Sequence, residues 1–222
     1  MKKIAAIALI VVAAALAAAS VCPAYAGFGL GSLTGHKSSN AQILNQQSKL
    51  VHDFSTAQTQ TLKAQALLAQ AFGDKNQAAE LRADAKTLAN GASAQDVEKS
   101  IGDSSRANKQ INKNMKAGVK LTEQGKKLYA QAVPYYVTGL TQTIALRPDI
   151  MNFSSSAQQA LESASIVDKL SLRNKLAAGV YLTKHAPAYI SELQGTTGEI
   201  LSYSKKENIT IPADTLSRIP KY

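Results

Sequence analysis

The chain has 222 residues, of which 45% are hydrophobic and 18% are charged. This hydrophobic content excludes a wholly disordered chain, and 13 Gly with 6 Pro exclude a collagen-like sequence. The 25 basic and 15 acidic residues give a formal net charge of +10, and the abundant Ala, Gln, Lys and Leu favour helices.

The N-terminus has the three parts of a secretory signal peptide. A basic start at residues 2–3 precedes an uncharged run at residues 4–19, and Ala24 and Ala26 place small side chains before a cleavage site. We expect a cleaved signal peptide of residues 1–26 and a bacterial protein that is periplasmic or secreted, with no integral membrane segment after cleavage.

Two alternatives to this cleavage are weaker. A membrane span needs about 20 apolar residues, and Ser20 and Pro23 end the apolar run early. Lipidation at Cys22 would need a small residue before it, where the sequence has Val21. Cleavage would remove the only Cys and two of the 25 basic residues, which leaves a net charge of +8.

The rest of the sequence predicts an all-α fold, because no segment alternates apolar and polar residues as a half-buried strand does. Residues 27–38 are a Gly-rich lead that we expect to be flexible, residues 39–207 a helical domain, and residues 208–222 an irregular C-terminal tail. We expect an antiparallel bundle of about five to seven helices, with the first long helix against the third.

Cap and stop signals define the first three helices. Ser39 and Gln42 form a capping box that begins the first helix, and Gly73 ends it. Asp74 begins the second helix, which ends at a glycine before Ser93 begins the third. The apolar stripe of the first helix consists of Ile43, Leu50, Phe54, Ala57, Ala64, Leu68 and Phe72.

Helical spacing continues from the third helix to Pro148, and Pro134 is expected to kink or split this long element. Further helices are expected over residues 149–165, 166–185 and 187–206. The apolar positions of the 166–185 helix are Leu170, Leu176, Val180 and Tyr181.

Two segments, 134–140 and 187–193, share the pattern Pro-x-Tyr-[Val/Ile]-x-x-Leu, and Thr143 and Thr196 extend the match. Either a helix pair is duplicated and its kinks frame a groove, or the match is a coincidence in an Ala-rich chain. A single recurrence is far short of a repeat array.

Motifs for catalysis and metal binding are incomplete. His36, His52 and His185 have no His or Cys at metal-ligand spacing. Ser202 and Lys205 match S-x-x-K, but its companion elements S-D-N and K-T-G do not occur. We therefore expect no enzyme activity, metal or cofactor. An exception would be sought around His185, whose neighbours are Tyr181, Lys184 and Tyr189.

A run of basic residues on the third helix is the candidate binding site. Its members are spaced by 3, 4, 3, 4 and 7 positions, so they predict one basic stripe, with a solvated Lys face as the alternative. The residues are Arg106, Lys109, Lys113, Lys116, Lys120 and Lys127.

A second candidate surface is the charge-free segment 128–146 with its tyrosines. Tyr suits a groove that is apolar with one wet end, although core packing is the stronger interpretation. The tyrosines concerned are Tyr129, Tyr135, Tyr136, Tyr181 and Tyr189.

These observations predict a non-enzymatic binding protein of the bacterial envelope. Its basic stripe would contact a lipid headgroup, lipopolysaccharide, a cell-wall polymer or an acidic protein. Nucleic acid is not expected as a partner, because the stripe lacks interleaved aromatic residues. The alternative is a structural or assembly subunit, of the minor-pilin or accessory type, that oligomerises through apolar helix stripes.

Export can be tested by the intact mass of the protein recovered from the periplasm of expressing bacteria. We expect the mass of the chain from Gly27 to Tyr222. A mass that retains an acylated Cys22 would contradict this cleavage and indicate a lipoprotein.

Overall fold

The computed structural model describes the backbone of residues 35–220 and the side chains of residues 40–220. The expected signal peptide and residues 27–34 of the Gly-rich lead lie outside these described residues. All regular elements within residues 35–220 are helices. They are α1 (Gly35–Ala71), α2 (Lys75–Ala89), α3 (Ala94–Lys116), α4 (Glu123–Ala145), α5 (Arg147–Ser163), α6 (Ile166–Lys175), α7 (Ala177–Lys206) and α8 (Ala213–Ser217).

Local capping explains where α2 and α3 begin. The Asp74 carboxylate accepts a hydrogen bond from the Gln77 backbone N–H, and Ser93 and Asp96 form a reciprocal capping box, as the sequence predicts. The predicted start of α1 at Ser39 is wrong, because the helix begins at Gly35. A capping residue favours a helix start without preventing the helix from extending further toward the N-terminus.

The predicted long third helix is wrong, because α3 ends at Lys116 and α4 begins only at Glu123. Gly118 adopts a left-handed φ of 66°, which L-residues with a side chain rarely take. The Val119 N–H donates to Asn114 O and the Gly118 N–H donates to Met115 O, the paired bonds of a Schellman motif. The chain therefore reverses direction at Gly118.

The predicted split at Pro134 and the predicted helix break before Pro187 do not occur. Pro134 lies inside α4 and Pro187 lies inside α7, and both helices continue through them. Proline removes one backbone hydrogen bond, and helix residues on both sides of it pack into the core. The break expected near Pro148 occurs at Leu146, with Pro148 in the first turn of α5, whereas the sequence does not predict the break at Leu176.

Four helices form the core of the bundle in the cyclic order α1, α4, α7, α3. Contacts of Gln58 with Ser100 and of Gln65 with Asn108 show that α1 and α3 run parallel, not antiparallel as predicted. The reason is that α2 returns between them and packs on both. Helix α7 also runs parallel to α3, whereas α4 runs antiparallel to it.

Helices α4 and α1 approach each other closely at two glycines. A Cβ atom on Gly139 would lie 2.9 Å from the Thr61 backbone N, and one on Gly125 would lie 2.9 Å from the Ala71 carbonyl O. Any larger residue would push the two backbones apart. The pair α1–α4 is therefore fixed at both ends of its contact.

A network of buried polar side chains lies at the centre of the four-helix core. The Asn108 Oδ1 accepts from the Gln65 Nε2 at 2.7 Å and from the Tyr136 hydroxyl at 2.9 Å, and Asn108 Nδ2 donates to Glu192 Oε1 at 3.0 Å. Asn108 thereby joins all four core helices. Burial raises the pKa of Tyr136, which keeps its hydroxyl protonated as a donor.

Tyr189 extends this network toward the start of α3. Its hydroxyl donates to Gln58 Oε1 at 2.6 Å and lies 2.6 Å from the Ser104 Oγ, which therefore acts as the donor to Tyr189. The Gln58 Nε2 in turn donates to the Ser100 carbonyl at 3.0 Å. We call these two groups of bonds the buried polar network.

The sequence match between segments 134–140 and 187–193 corresponds to equivalent burial. Apart from the prolines, its positions are almost fully buried in both helices, and the two matching tyrosines, Tyr136 and Tyr189, belong to the buried polar network. Packing against the core accounts for the Tyr, Val/Ile, Leu and Thr positions of the pattern, but not for its prolines. The other matched positions are Val137, Ile190, Leu140, Leu193, Thr143 and Thr196.

The predicted irregular tail packs onto the bundle. Ile209 and Thr215 are buried, and the Arg218 Nη1 donates to the Thr138 Oγ1 at 3.2 Å. The short helix α8 therefore lies against α4. Two prolines do not prevent this, because Pro212 lies immediately before the first turn of α8.

The buried polar network predicts a large cost for Asn108→Leu. The substitution would leave the Gln65 amide, the Tyr136 hydroxyl and Glu192 without this partner, and we expect a loss of about 3 kcal/mol or more in unfolding free energy. Urea denaturation measures it. The control is Asn114→Leu on the same helix, whose only side-chain bond among the described residues is with Gln110 and which should change stability by less than about 1 kcal/mol. Equal effects of the two substitutions would contradict the network's importance.

Candidate functional site

The predicted basic stripe does not form one continuous face. Arg106, Lys109, Lys113 and Lys116 project from α3, but Lys120 lies in the loop after the Gly118 turn, and the sixth residue of the stripe, Lys127, lies on α4. Spacing of 3, 4 or 7 defines a face only while the helix continues.

Three of the six basic residues are paired with carboxylates. Arg106 contacts Asp103 one turn earlier. The other two pairs connect α3 and its loop to α7: Lys116 Nζ lies 3.3 Å from Glu199 Oε1, and Lys120 Nζ lies 2.7 Å from Glu207 Oε1.

Lys109, Lys113 and Lys127 are exposed and make no ion pair with any described side chain. Lys109 and Lys113 lie one turn apart, on the side of α3 opposite its buried residues Ile111 and Met115. We call Lys109 and Lys113, with Lys116 at their edge, the α3 basic patch. This is the part of the predicted site that remains available to an anion.

Lys120 has a structural contact that sequence spacing could not reveal. Its partner Glu207 is only 6% exposed, at the carboxyl end of α7. Beside it, the Tyr203 hydroxyl donates to the Val119 carbonyl, and burial, with Glu207 nearby, raises the pKa of Tyr203 to about 12. These two contacts hold the α3–α4 loop against α7.

The tyrosines of the second candidate surface mainly form the core. Tyr129, Tyr136 and Tyr189 are buried, and the Tyr129 hydroxyl donates to the Ile200 carbonyl at 2.9 Å. Tyr135 is 44% exposed, on the outer side of α4. Tyr181 stacks on the His185 ring with 4.2 Å between centroids. Segment 128–146 is thus a packing surface within the bundle.

The structure does not bring the candidate catalytic residues together. The Tyr189 hydroxyl faces Gln58 and Ser104 in the core and therefore away from the Tyr181–His185 stack. Asp53, which follows His52, pairs with Lys49 at 2.6 Å. The side chain of His36 lies outside the described ones. Among the described residues, no three His, Cys, Asp or Glu side chains lie close enough to hold a metal ion.

One charged cluster was missed by the sequence analysis. Lys99 Nζ lies 2.5 Å from Asp84 Oδ1 and 2.6 Å from Asp103 Oδ2, and it therefore connects α2 to α3. Burial raises the pKa of Asp84, and Asp103 close by adds to this effect. Asp84 and Lys99 are 15 positions apart, so only the packing of α2 on α3 reveals their contact, whereas Lys99 and Asp103 lie one turn apart on α3.

Helix α6 and the first turn of α7 expose apolar residues that were expected to be buried. Leu170 is 67% exposed and Val180 41%, contrary to the predicted stripe of one helix over residues 166–185. The break at Leu176 explains this, because α6 and α7 are separate helices and only Leu172 and Leu176 anchor α6 to the bundle. A groove of about 630 Å³ lies between α5, α6 and α7.

No protein-family model, curated protein or solved structure matches this chain. In the part of the chain that is described, none of the helices has the length and hydropathy needed to cross a membrane. The candidate site is therefore assigned from the residues of this chain alone.

Lys120→Gln tests whether Lys120 is a structural rather than a ligand-binding residue. It would leave the buried Glu207 without its cation, and we expect a loss of about 1–2 kcal/mol in unfolding free energy, less than for fully buried pairs because Lys120 is exposed. The matched control is Lys113→Gln, which should change stability by less than about 0.5 kcal/mol. Urea denaturation of both variants measures the difference, and equal midpoints would contradict the structural role.

Proposed function

We propose that this chain is an exported, non-enzymatic binding protein of the bacterial envelope that contacts an anionic component or partner through the α3 basic patch. The observation that carries the proposal is the pair Lys109 and Lys113, exposed and free of ion pairs with described carboxylates. Like charges one helical turn apart destabilise a helix by a few tenths of a kcal/mol, so Lys109 and Lys113 slightly destabilise α3 when no ligand is bound.

The geometry of the patch supports an extended anionic ligand. Two exposed ammonium groups on one helix face can bind successive phosphates or carboxylates of an extended ligand. They do not form an enclosed pocket for one small anion. Lys116 can join them, because its contact with Glu199 is between two exposed groups and is weakened by salt. Lipopolysaccharide, anionic lipid headgroups, cell-wall polymers and acidic proteins share this chemistry.

A structural or assembly subunit remains the second candidate function. Its support is the compact four-helix core, which offers long helices as a scaffold. The apolar stripes of α1, α3, α4 and α7, however, pack mainly inside the bundle. Oligomers of such a subunit would therefore need another contact surface.

The charge reversal Lys109→Glu with Lys113→Glu tests the binding function. The control is Lys63→Glu with Lys86→Glu, an equal charge change at two exposed lysines on α1 and α2. Lipopolysaccharide, phosphatidylglycerol vesicles and polyglutamate serve as separate probes of the ligand source. We expect the α3 double variant to lose about tenfold or more in affinity for at least one probe, because it replaces attraction by repulsion.

Circular dichroism verifies that both double variants remain folded. Binding by the unmodified protein should weaken steeply with salt, since exposed charges are screened over about 8 Å at physiological ionic strength. Equal loss in the two double variants would contradict a specific site on α3. Unchanged binding together with concentration-dependent oligomers in size exclusion would favour the structural function instead.

A further inference from the structure

The most exposed apolar cluster among the described residues lies on α6. Ile166 is 87% exposed, Val167 83% and Leu170 67%. On a helix these positions span about 100° of one face, so the three side chains form one contiguous surface. We call Ile166, Val167 and Leu170 the α6 apolar tip.

The tip belongs to a well-formed helix. The Ser165 Oγ accepts a hydrogen bond from the Asp168 N–H at 3.2 Å and lies 2.6 Å from the Asp168 carboxylate. Ser165 therefore caps the first turn of α6. Leu172 and Leu176 bury the opposite side of the helix against the bundle. The structure therefore directs Ile166, Val167 and Leu170 away from the core.

Cations border the tip on one side. Lys169 and Arg173 project between the apolar tip and the buried face of α6, and both are exposed. Asp168 points to the opposite side, where it is engaged by Ser165. An exposed apolar surface beside long basic side chains is complementary to the headgroups and upper acyl chains of an anionic bilayer.

We propose that α6 binds to the surface of an anionic phospholipid bilayer, with Ile166, Val167 and Leu170 inserted among the acyl chains. Lys169 and Arg173 extend to the lipid phosphates. The ten residues of α6 are about 15 Å long, half the thickness of a hydrocarbon core of about 30 Å, so the helix lies in the interface.

Two other occupants fit the tip less well. A second copy docked antiparallel through the same tip would place Lys169 and Arg173 of both copies on one side of the contact, with like charges opposed. A helix seated in the groove between α5, α6 and α7 would cover Ile166 and Leu170, which line it, but not Val167, which does not. A bilayer covers all three.

This surface is separate from the α3 basic patch. The end of α6 lies near Ala94 at the start of α3, because Lys175 and Ala94 line the same groove. Lys113 lies about 28 Å farther along α3 at the usual helical rise. Binding through α6 can therefore be measured in a protein that also carries the charge reversal at Lys109 and Lys113.

The absence of Trp from the sequence allows a single reporter to be introduced. Val167→Trp places it in the tip, and Met151→Trp places the control at an apolar side chain on α5 that is 69% exposed. The full-length gene is expressed and the processed protein is purified, so that both variants share the same N-terminus. With phosphatidylglycerol vesicles, we expect emission from position 167 to shift to shorter wavelength and to be quenched by brominated acyl chains, without either change at position 151.

The loss-of-binding variant carries Ile166→Gln, Val167→Gln and Leu170→Gln together. Because these three side chains are exposed, we expect circular dichroism to show an intact fold. We expect it to reduce co-sedimentation with phosphatidylglycerol vesicles about tenfold or more relative to the unmodified chain. Replacing Lys169 and Arg173 by Gln should reduce the preference for phosphatidylglycerol over phosphatidylcholine.

Three results would overturn the proposal. One is a position-167 emission that does not respond to vesicles. Another is a shift that rises with protein concentration in their absence, which assigns the tip to a second copy. The third is co-sedimentation that persists in the triple Gln variant but disappears with Lys109→Glu and Lys113→Glu, which assigns lipid contact to the α3 basic patch. Polyanion binding that is absent from the unmodified protein, or unchanged by Lys109→Glu with Lys113→Glu, would contradict only the proposed function if insertion at position 167 is retained.

Discussion

The fold depends on satisfying polar groups in the centre of a four-helix core. Asn108 contacts side chains from the three other core helices, and Tyr189 adds contacts with Gln58 and Ser104. An apolar core of Leu and Ala tolerates sliding of one helix along another, since many registers bury similar area. A buried amide does not, because each displaced register leaves donors and acceptors without partners. The buried polar network thus selects one register for α1, α3, α4 and α7.

This constraint explains why two helices tolerate an internal proline. Pro134 lies two residues before Tyr136, and Pro187 two residues before Tyr189. Both tyrosines must reach the same network from helices that continue on either side. Breaking α4 or α7 at its proline would separate the tyrosine from the apolar residues of the preceding turns. Tertiary contacts across the whole helix outweigh the one backbone hydrogen bond that proline removes.

The sequence predicts the helical class and the caps of α2 and α3 because these follow from neighbouring residues. It fails at Gly118 and Leu176, where the helical spacing of apolar residues continues on both sides of the break. Gly118 resembles other glycines in a helical pattern until its left-handed φ is known. The exposure of Leu170 has the same origin, since apolar spacing predicts an apolar face but not whether another helix covers it.

The basic site shows the same limit, because a charged side chain is available to a ligand only if no opposite charge already pairs with it. Spacing along α3 places Lys109, Lys113 and Lys116 on one face, and that part of the prediction needs only a helix. Whether each ammonium group is free depends on α7, which supplies Glu199 for one lysine of the face and Glu207 for Lys120. Those carboxylates are more than 80 positions away in the sequence, and α7 meets α3 in a register that the buried polar network sets. The core therefore decides which surface charges remain available to a ligand, although no core residue contacts that ligand.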